Sequence, residues 1–178
     1  MAVARNLWGY IDRRDHRLMR RLNRWRAPRW IRIWMLAATR MGDGWIWYGL
    51  GLMLLAYGGP QRFSAVGAAG AAAVLGIFVF KALKRLSQRP RPCQIEPHCW
   101  SKVLPPDQFS FPSGHTMTAS SIAIVVSYFY PALDLALSIA VSRIVLGMHF
   151  LSDVLAGVVM GVALGCASIT AFASFGLI

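Results

Sequence analysis

Residues 150–178 read FLSDVLAGVVMGVALGCASITAFASFGLI. Asp153 is the single full charge in this run, which is long enough to cross a bilayer, where a helix needs about 20 predominantly apolar residues. A carboxylate at the edge of such a segment is costly unless paired or used. One stretch therefore names both the solvent and a residue to account for. The whole chain agrees: 56% hydrophobic residues, 15% charged residues and a mean hydropathy of +0.48 lie outside the balance of a soluble domain. At 178 residues, with no polar region long enough to fold separately, residues 1–178 form one domain.

Working upstream, further apolar stretches are Trp30 to Met41, Trp45 to Tyr57, Ser64 to Phe80, Thr116 to Tyr130 and Ala132 to Leu146. With Phe150 to Ile178 they predict an all-α integral membrane bundle of six transmembrane helices over residues 30–178. The first two fall short of a full span and must borrow flanking residues, tilt, or sit in thinned lipid. Gly42-Asp43-Gly44, Gly58-Gly59-Pro60 and the Pro131 region are turn signals that make consecutive helices antiparallel neighbours. Gly67, Gly70 and Ala71 to Ala73, and Gly157, Gly161 and Gly165, are small residues that let helices approach closely.

Ten arginines lie between Arg5 and Arg32, with Leu7, Trp8, Ile11, Leu18, Leu22 and Trp25 interspersed. Residues 1–29 thus read as an amphipathic interfacial helix, and nothing in them resembles a cleavable signal peptide. The positive-inside rule places this end in the cytoplasm. Six crossings then put the Arg62 loop and the C-terminus inside and the segment from Arg85 to Phe111 outside. Lys81, Lys84, Arg85, Arg89 and Arg91 form a second basic cluster that the rule prefers inside. It is set aside because a phosphate site needs cations wherever it lies.

Three charged clusters sit at segment ends: Lys84 to Arg91-Pro92, Pro112-Ser113-Gly114-His115, and Ser142-Arg143 followed by His149 and Asp153. Ser113 is a natural N-cap, and the following amides at a helix start make an anion site that Gly114 lets a phosphate approach. The same tetrapeptide also reads as a capped helix with an interfacial histidine. His149 and Asp153, four apart, share a face if helical, so the carboxylate can hold one imidazole nitrogen while the other points outward as a nucleophile. A structural His-Asp pair capping the last helix is the lesser reading of that spacing. Lys84, Arg91 and Arg143 supply cations for a phosphate clamp, whereas Lys81, Arg85, Arg89 and Lys102 read as snorkelling side chains. Cys93 and Cys99 are either a disulfide or free thiols. His98 beside Cys99 lacks a second ligand pair for zinc, and no metal site is expected.

The pattern from Lys84 to Asp153 resembles the type 2 phosphatidic acid phosphatase superfamily, matching its three motifs in order and spacing over about seventy residues. The resemblance implies that His149 attacks phosphorus, His115 protonates the leaving oxygen and Asp153 orients His149. It further implies that Lys84, Arg91, Arg143, Ser113 and the Gly114 amide hold the transferring group, with no cofactor or divalent metal. Its small bacterial members sit in the inner membrane. The partners it implies are a lipid phosphate substrate and membrane lipids. An outward-facing site favours undecaprenyl diphosphate, ahead of phosphatidylglycerol phosphate, phosphatidic acid and lipid A 1-phosphate. A lipid phosphotransferase would share these residues, and a non-enzymatic lipid-binding protein is the alternative of another class. The net charge of +12 does not imply nucleic acid, because much of it sits in an arm suited to anionic lipid. Oligomeric state is not legible.

Overall fold

Gly157, Gly161 and Gly165 recur every fourth residue and so share one helix face. What that face meets sets the packing of the bundle. A computed structural model describes residues 2–25, 27–95, 107–130 and 135–178, with side chains for all of these except 2–7 and 135–137. The described residues form helices α1 (Ala2–Arg24), α2 (Arg29–Met41), α3 (Trp45–Tyr57), α4 (Arg62–Ser87), α5 (Pro92–Ile95), α6 (Gly114–Phe129), α7 (Leu135–Val145) and α8 (Leu151–Ser174). An isolated bridge joins Pro90 to Phe109.

The glycine face of α8 lies on the backbone of α6. A Cβ added at Gly161 would stand 2.4 Å from the Met117 carbonyl oxygen and 2.8 Å from Ser120 Cβ. At Gly157 and Gly165 it would meet the Ser113 and Ser121 carbonyl oxygens at 2.8 and 2.9 Å. Helices that pack without side chains between them gain dispersion contacts and lose little to ordering, which is how membrane bundles cohere when lipid is as apolar as leucine. On the other flank of α6, Ala65, Ala68 and Ala72 of α4 pack against Val125 and Phe129. Gly70, expected to pack, faces open space, and Ala71 is exposed.

The bundle has two distinct ends. Lys84 lies in the last turn of α4, His115 in the first turn of α6, Arg143 in the last turn of α7 and Asp153 in the first turn of α8, and together they define a site end. At the far end the Tyr130 hydroxyl donates to the Gly58 carbonyl at 2.6 Å, and the Ser64 hydroxyl donates to the Leu177 carbonyl. The helices α3, α4, α6, α7 and α8 run between these ends. Gly59–Ser87 and Leu151–Ser174 are each long and apolar enough to cross a membrane. Shorter α3 exposes Trp45 and Tyr48 at one end and Tyr57 at the other, the aromatic placement of two membrane–water interfaces.

Two expectations change. The stretch Trp30 to Met41 forms α2 but does not run end to end. Ile31 and Met35 pack on Leu146 and Met148 just beyond α7, while Gly42 abuts His115 and Ile139. Both ends of α2 thus lie in the site half. Among the described residues, five elements and not six therefore run between the ends. Helix α1 lies across the site end: Trp8 meets the Phe111 ring edge to face, His16 meets Phe150, and the Ser152 amide donates to Asp15 at 3.2 Å. The N-terminal helix and the charged clusters therefore occupy the same end, not opposite ones. The third apolar stretch also extends to Ser87, taking Lys84 into helix. His98, Cys99, Lys102 and the Pro131 turn lie outside the described residues.

Substituting Gly161→Ala is expected to cost about 1–3 kcal/mol through overpacking against backbone, read as a lower thermal midpoint in detergent. Gly70→Ala, with nothing within 4 Å, is expected to leave that midpoint unchanged or slightly raised.

Candidate active site

A buried cation in an apolar chain needs an anion, and this chain has 19 Lys and Arg against 7 Asp and Glu. Where the few carboxylates go is therefore decisive. Asp107 takes two cations: Lys84 Nζ donates to both its oxygens at 2.8 and 2.7 Å, and Arg91 Nη2 donates to Oδ1. Burial pushes the Asp107 carboxyl up, but the Lys84 and Arg91 hydrogen bonds outweigh it and hold the group below the usual carboxylate range. Lys84 also donates to the Phe109 carbonyl at 3.0 Å. Arg91, wholly buried, reaches the Asp107 carbonyl with Nε at 2.9 Å and the Met148 carbonyl with Nη1 at 2.8 Å.

His149 stands in the loop between α7 and α8. Gly147 takes a left-handed φ of +68° there, which glycine adopts without steric cost. The turn folds back so that the Met148 and His149 amides both donate to the Arg143 carbonyl at 3.1 Å. His149 is 1% exposed, and its Nε2 lies 3.1 Å from Arg91 Nη1. A guanidinium can only donate, so Nε2 carries a lone pair and Nδ1 the hydrogen. Burial, then the Arg91 charge, push this imidazole well below its ordinary pKa, and it is neutral at pH 7. Nδ1 faces Asp153 Oδ2 at 3.7 Å, an electrostatic contact longer than a hydrogen bond. The expectation that both residues share a helical face does not hold, because the helix begins at Leu151.

Asp153 instead accepts from the Phe150 amide at 2.9 Å, closing the N-terminus of α8, and from Arg89 Nη1 at 2.7 Å. Arg89 is therefore no snorkelling side chain. It is 8% exposed, and its other nitrogen reaches Asp12 at 3.1 Å and Asp15 at 2.9 Å. Its carboxylate partners raise the Arg89 pKa against the lowering effect of burial.

Ser113 occupies the N-cap position of α6 but does not cap it with its side chain. Its hydroxyl pairs with Thr116 Oγ1 at 2.9 Å, and its amide donates to the Asp153 carbonyl at 3.0 Å. The amides of the first helical turn have no intrahelical acceptor. Gly114 packs beneath Phe80, where a Cβ would stand 3.2 Å from the ring. His115 Nε2 pairs with Asp43 Oδ1 at 2.8 Å in the turn before α3. Arg143, 1% exposed, donates from Nη1 to Thr39 Oγ1. Its Nε and Nη2 are buried and have no partner among the described residues.

A cavity of about 1250 Å³ opens over this level, lined in part by Phe80, Lys84, Asp107, Gly114, His115 and Arg143. The structure thus gathers all eight sequence-selected residues at one end, where Lys84, Gly114, His115 and Arg143 line the cavity and Arg91, Ser113, His149 and Asp153 are buried outside its lining. Asp43, Thr39, Asp107 and Arg89 escaped the sequence reading. The scarcity of carboxylates was the available signal: with so few against so many cations, each one near a segment end was a candidate partner.

Residues 65–176 match the family model described as PAP2 superfamily. The chain is 33% identical over 141 residues to the decaprenylphosphoryl-5-phosphoribose phosphatase of Mycobacterium tuberculosis, covering 74% of this chain and 77% of that one. It is 33% identical over 100 residues to phosphatidylglycerophosphatase B of Bacillus subtilis, covering 47% and 46%. Among solved structures, LpxE of Aquifex aeolicus superposes with a TM-score of 0.72 and 27% identity over 86% of this chain and 93% of that one. A transmembrane PAP2-type phosphatidylglycerolphosphate phosphatase from Bacillus subtilis superposes with a TM-score of 0.68 at 23% identity over 90% and 85%, a likeness of fold. The matched region takes in the whole charged cluster from Lys84 to Asp153, and the chain belongs to the PAP2 superfamily.

Proposed function

We propose that this protein hydrolyses the terminal phosphate of a membrane lipid through a covalent phosphohistidine on His149. The observation that carries the reading is Arg143, buried at the cavity with two donors unspent, on the same level as Lys84 and Arg91. An apolar protein holding three cations together needs an anion beyond Asp107, and guanidinium forks match phosphoryl oxygens.

In the first step Arg91 Nη1 turns from His149 Nε2 to a phosphoryl oxygen, and the freed Nε2 lone pair attacks phosphorus. The P–N bond forms as the P–O bond to the lipid breaks, and His115 passes a proton to the departing oxygen. In the second step His115 takes a proton from water, whose oxygen attacks phosphorus and breaks the P–N bond to release phosphate. Asp153 offsets the positive charge that grows on His149, as a positioned carboxylate does for other catalytic imidazoles. Asp43 holds His115 toward the cavity. Lys84, Arg91, Arg143 and the amides at Gly114 stabilise the equatorial oxygens, where positioning and charge supply most of the catalysis. Side chains supply the positive charge, so turnover is expected to persist in EDTA.

The cavity lies at the end of spanning helices, at headgroup level, which suits a substrate whose tail stays in the bilayer. A polyprenylphosphoryl phosphoribose, as in the name of the mycobacterial relative, joins undecaprenyl diphosphate, phosphatidylglycerol phosphate and phosphatidic acid as candidates. Phosphate release by purified protein in EDTA across these four lipids tests the reading. Release from one above the rest supports it. No release from any, with intact protein, sinks the hydrolase and favours transfer to an acceptor lipid or binding alone.

His149→Ala is expected to abolish turnover in a chain that still folds but has a lower thermal midpoint, because Arg91 loses a buried acceptor, and multiple turnovers in that variant would exclude the covalent route. Arg143→Lys keeps the charge but loses the fork, and kcat/KM is expected to fall roughly 10²-fold. The His149 imidazole is expected to titrate below the ordinary value of about 6.5. Its neutral form persists as pH falls through that value, and histidine-labelled NMR with His149→Gln for assignment reads the midpoint directly.

A further inference from the structure

The site end carries almost all of the positive charge among the described residues. Among the described residues, Arg62 is the sole Lys or Arg at the far end. Helix α8 adds none along its length. At the site end α1 alone contributes seven arginines between Arg5 and Arg24 against Asp12 and Asp15. Leaving aside Lys84, Arg91 and Arg143, which a phosphate site requires, Arg29, Arg32, Arg40, Lys81 and Arg85 extend the same bias. All of these flank apolar segments within the reach over which such charge sets orientation.

The expectation of an outward-facing site rested on a cytoplasmic N-terminus separated from the site by an odd number of crossings. With α2 returning to the site half and α1 lying across the site end through Asp15, Arg89 and Ser152, that separation disappears. The arginines and the site share a side. We infer that the active site opens on the cytoplasmic face of the membrane, with the far end, including the turn at Gly59–Gln61 and the C-terminus, outside.

Helix α1 then has a definite occupation. Its inward face buries Asp15 and Met19 against the bundle, and Arg13, Arg14, Arg17 and Arg21 are exposed. Anionic headgroups of the inner leaflet attract such a face. The inference rests on the lipid phosphatase reading for its consequence: the substrate carries its phosphate on the inner leaflet. The reaction supplying it is a cytoplasmic one, a kinase acting on a membrane lipid or a transferase that loads a phosphorylated group onto a lipid anchor. The reason for preferring undecaprenyl diphosphate, an outward-facing site, falls away.

Single cysteines decide the orientation without reference to activity. In a chain whose Cys93, Cys99 and Cys166 are replaced by serine, Gln61→Cys at the far end and Ser87→Cys at the site end are exposed to a membrane-impermeant maleimide in intact cells. Labelling of Gln61→Cys from outside, with Ser87→Cys labelled only in inside-out vesicles, is expected. The reverse pattern, or labelling of both from one side, overturns the inference. With the native chain, release of phosphate from an added short-chain phosphatidic acid is expected in sealed inside-out vesicles, and in right-side-out vesicles only after detergent. Absence of release in every preparation, detergent included, counts against the phosphatase reading alone, since the labelling result stands by itself.

Discussion

Arg91 is the group on which the rest of the site depends. Its guanidinium has no contact with solvent, and protein groups meet four of its five donors. The partners come from two separate parts of the chain: Asp107 before α6, and the Met148 carbonyl and His149 imidazole in the loop after α7. One buried charge thereby fixes the position of a neutral histidine, shares the carboxylate that steadies Lys84, and ties the loop after α4 to the loop before α8. Breaking such a pair leaves an uncompensated buried charge, a far larger cost than the net worth of the contact. That asymmetry holds the segments in register although the loops themselves are short of regular structure.

The sequence revealed what depended on spacing and solvent. Apolar runs marked α3, α4, α6 and α8, and the glycine face of α8 was legible because a fourfold recurrence has one meaning on a helix. The residues from Lys84 to Asp153 were legible as a set because charge at the edge of an apolar segment needs a reason. Partnerships were not. Arg89 and Arg91 are two apart in sequence and look alike, yet one reaches Asp107 and His149 while the other reaches Asp153 and Asp15. Local pattern cannot tell them apart, because the choice is made by loops returning from distant positions. The role of α2 was hidden for a related reason: Trp30 to Met41 is apolar enough to suggest a crossing, and only its packing on Leu146 and Met148 reveals a helix lying in the site half.

Asp153 illustrates how a fold economises on scarce carboxylates. One of its oxygens closes the first turn of α8 and lies nearest His149, and the other receives Arg89. A residue at the third position of a helix is already favoured as an anion by the helix dipole. The added guanidinium offsets part of the cost of burying a carboxylate beside a buried imidazole. In the proposed mechanism, support for His149 thus passes through Arg89 to the N-terminal helix, which a reading confined to the three motifs would treat as a membrane anchor alone.

The contact between α1 and the bundle also bears on how the chain can vary over time. Asp15, Arg89 and Ser152 come from three remote stretches, yet they close on one another with Asp153 behind them. Drift at any one strands a buried guanidinium or a carboxylate, so the three are a single heritable unit. An N-terminal arm borrowed from a relative is tolerated only when it brings a carboxylate to the place that Asp15 now fills.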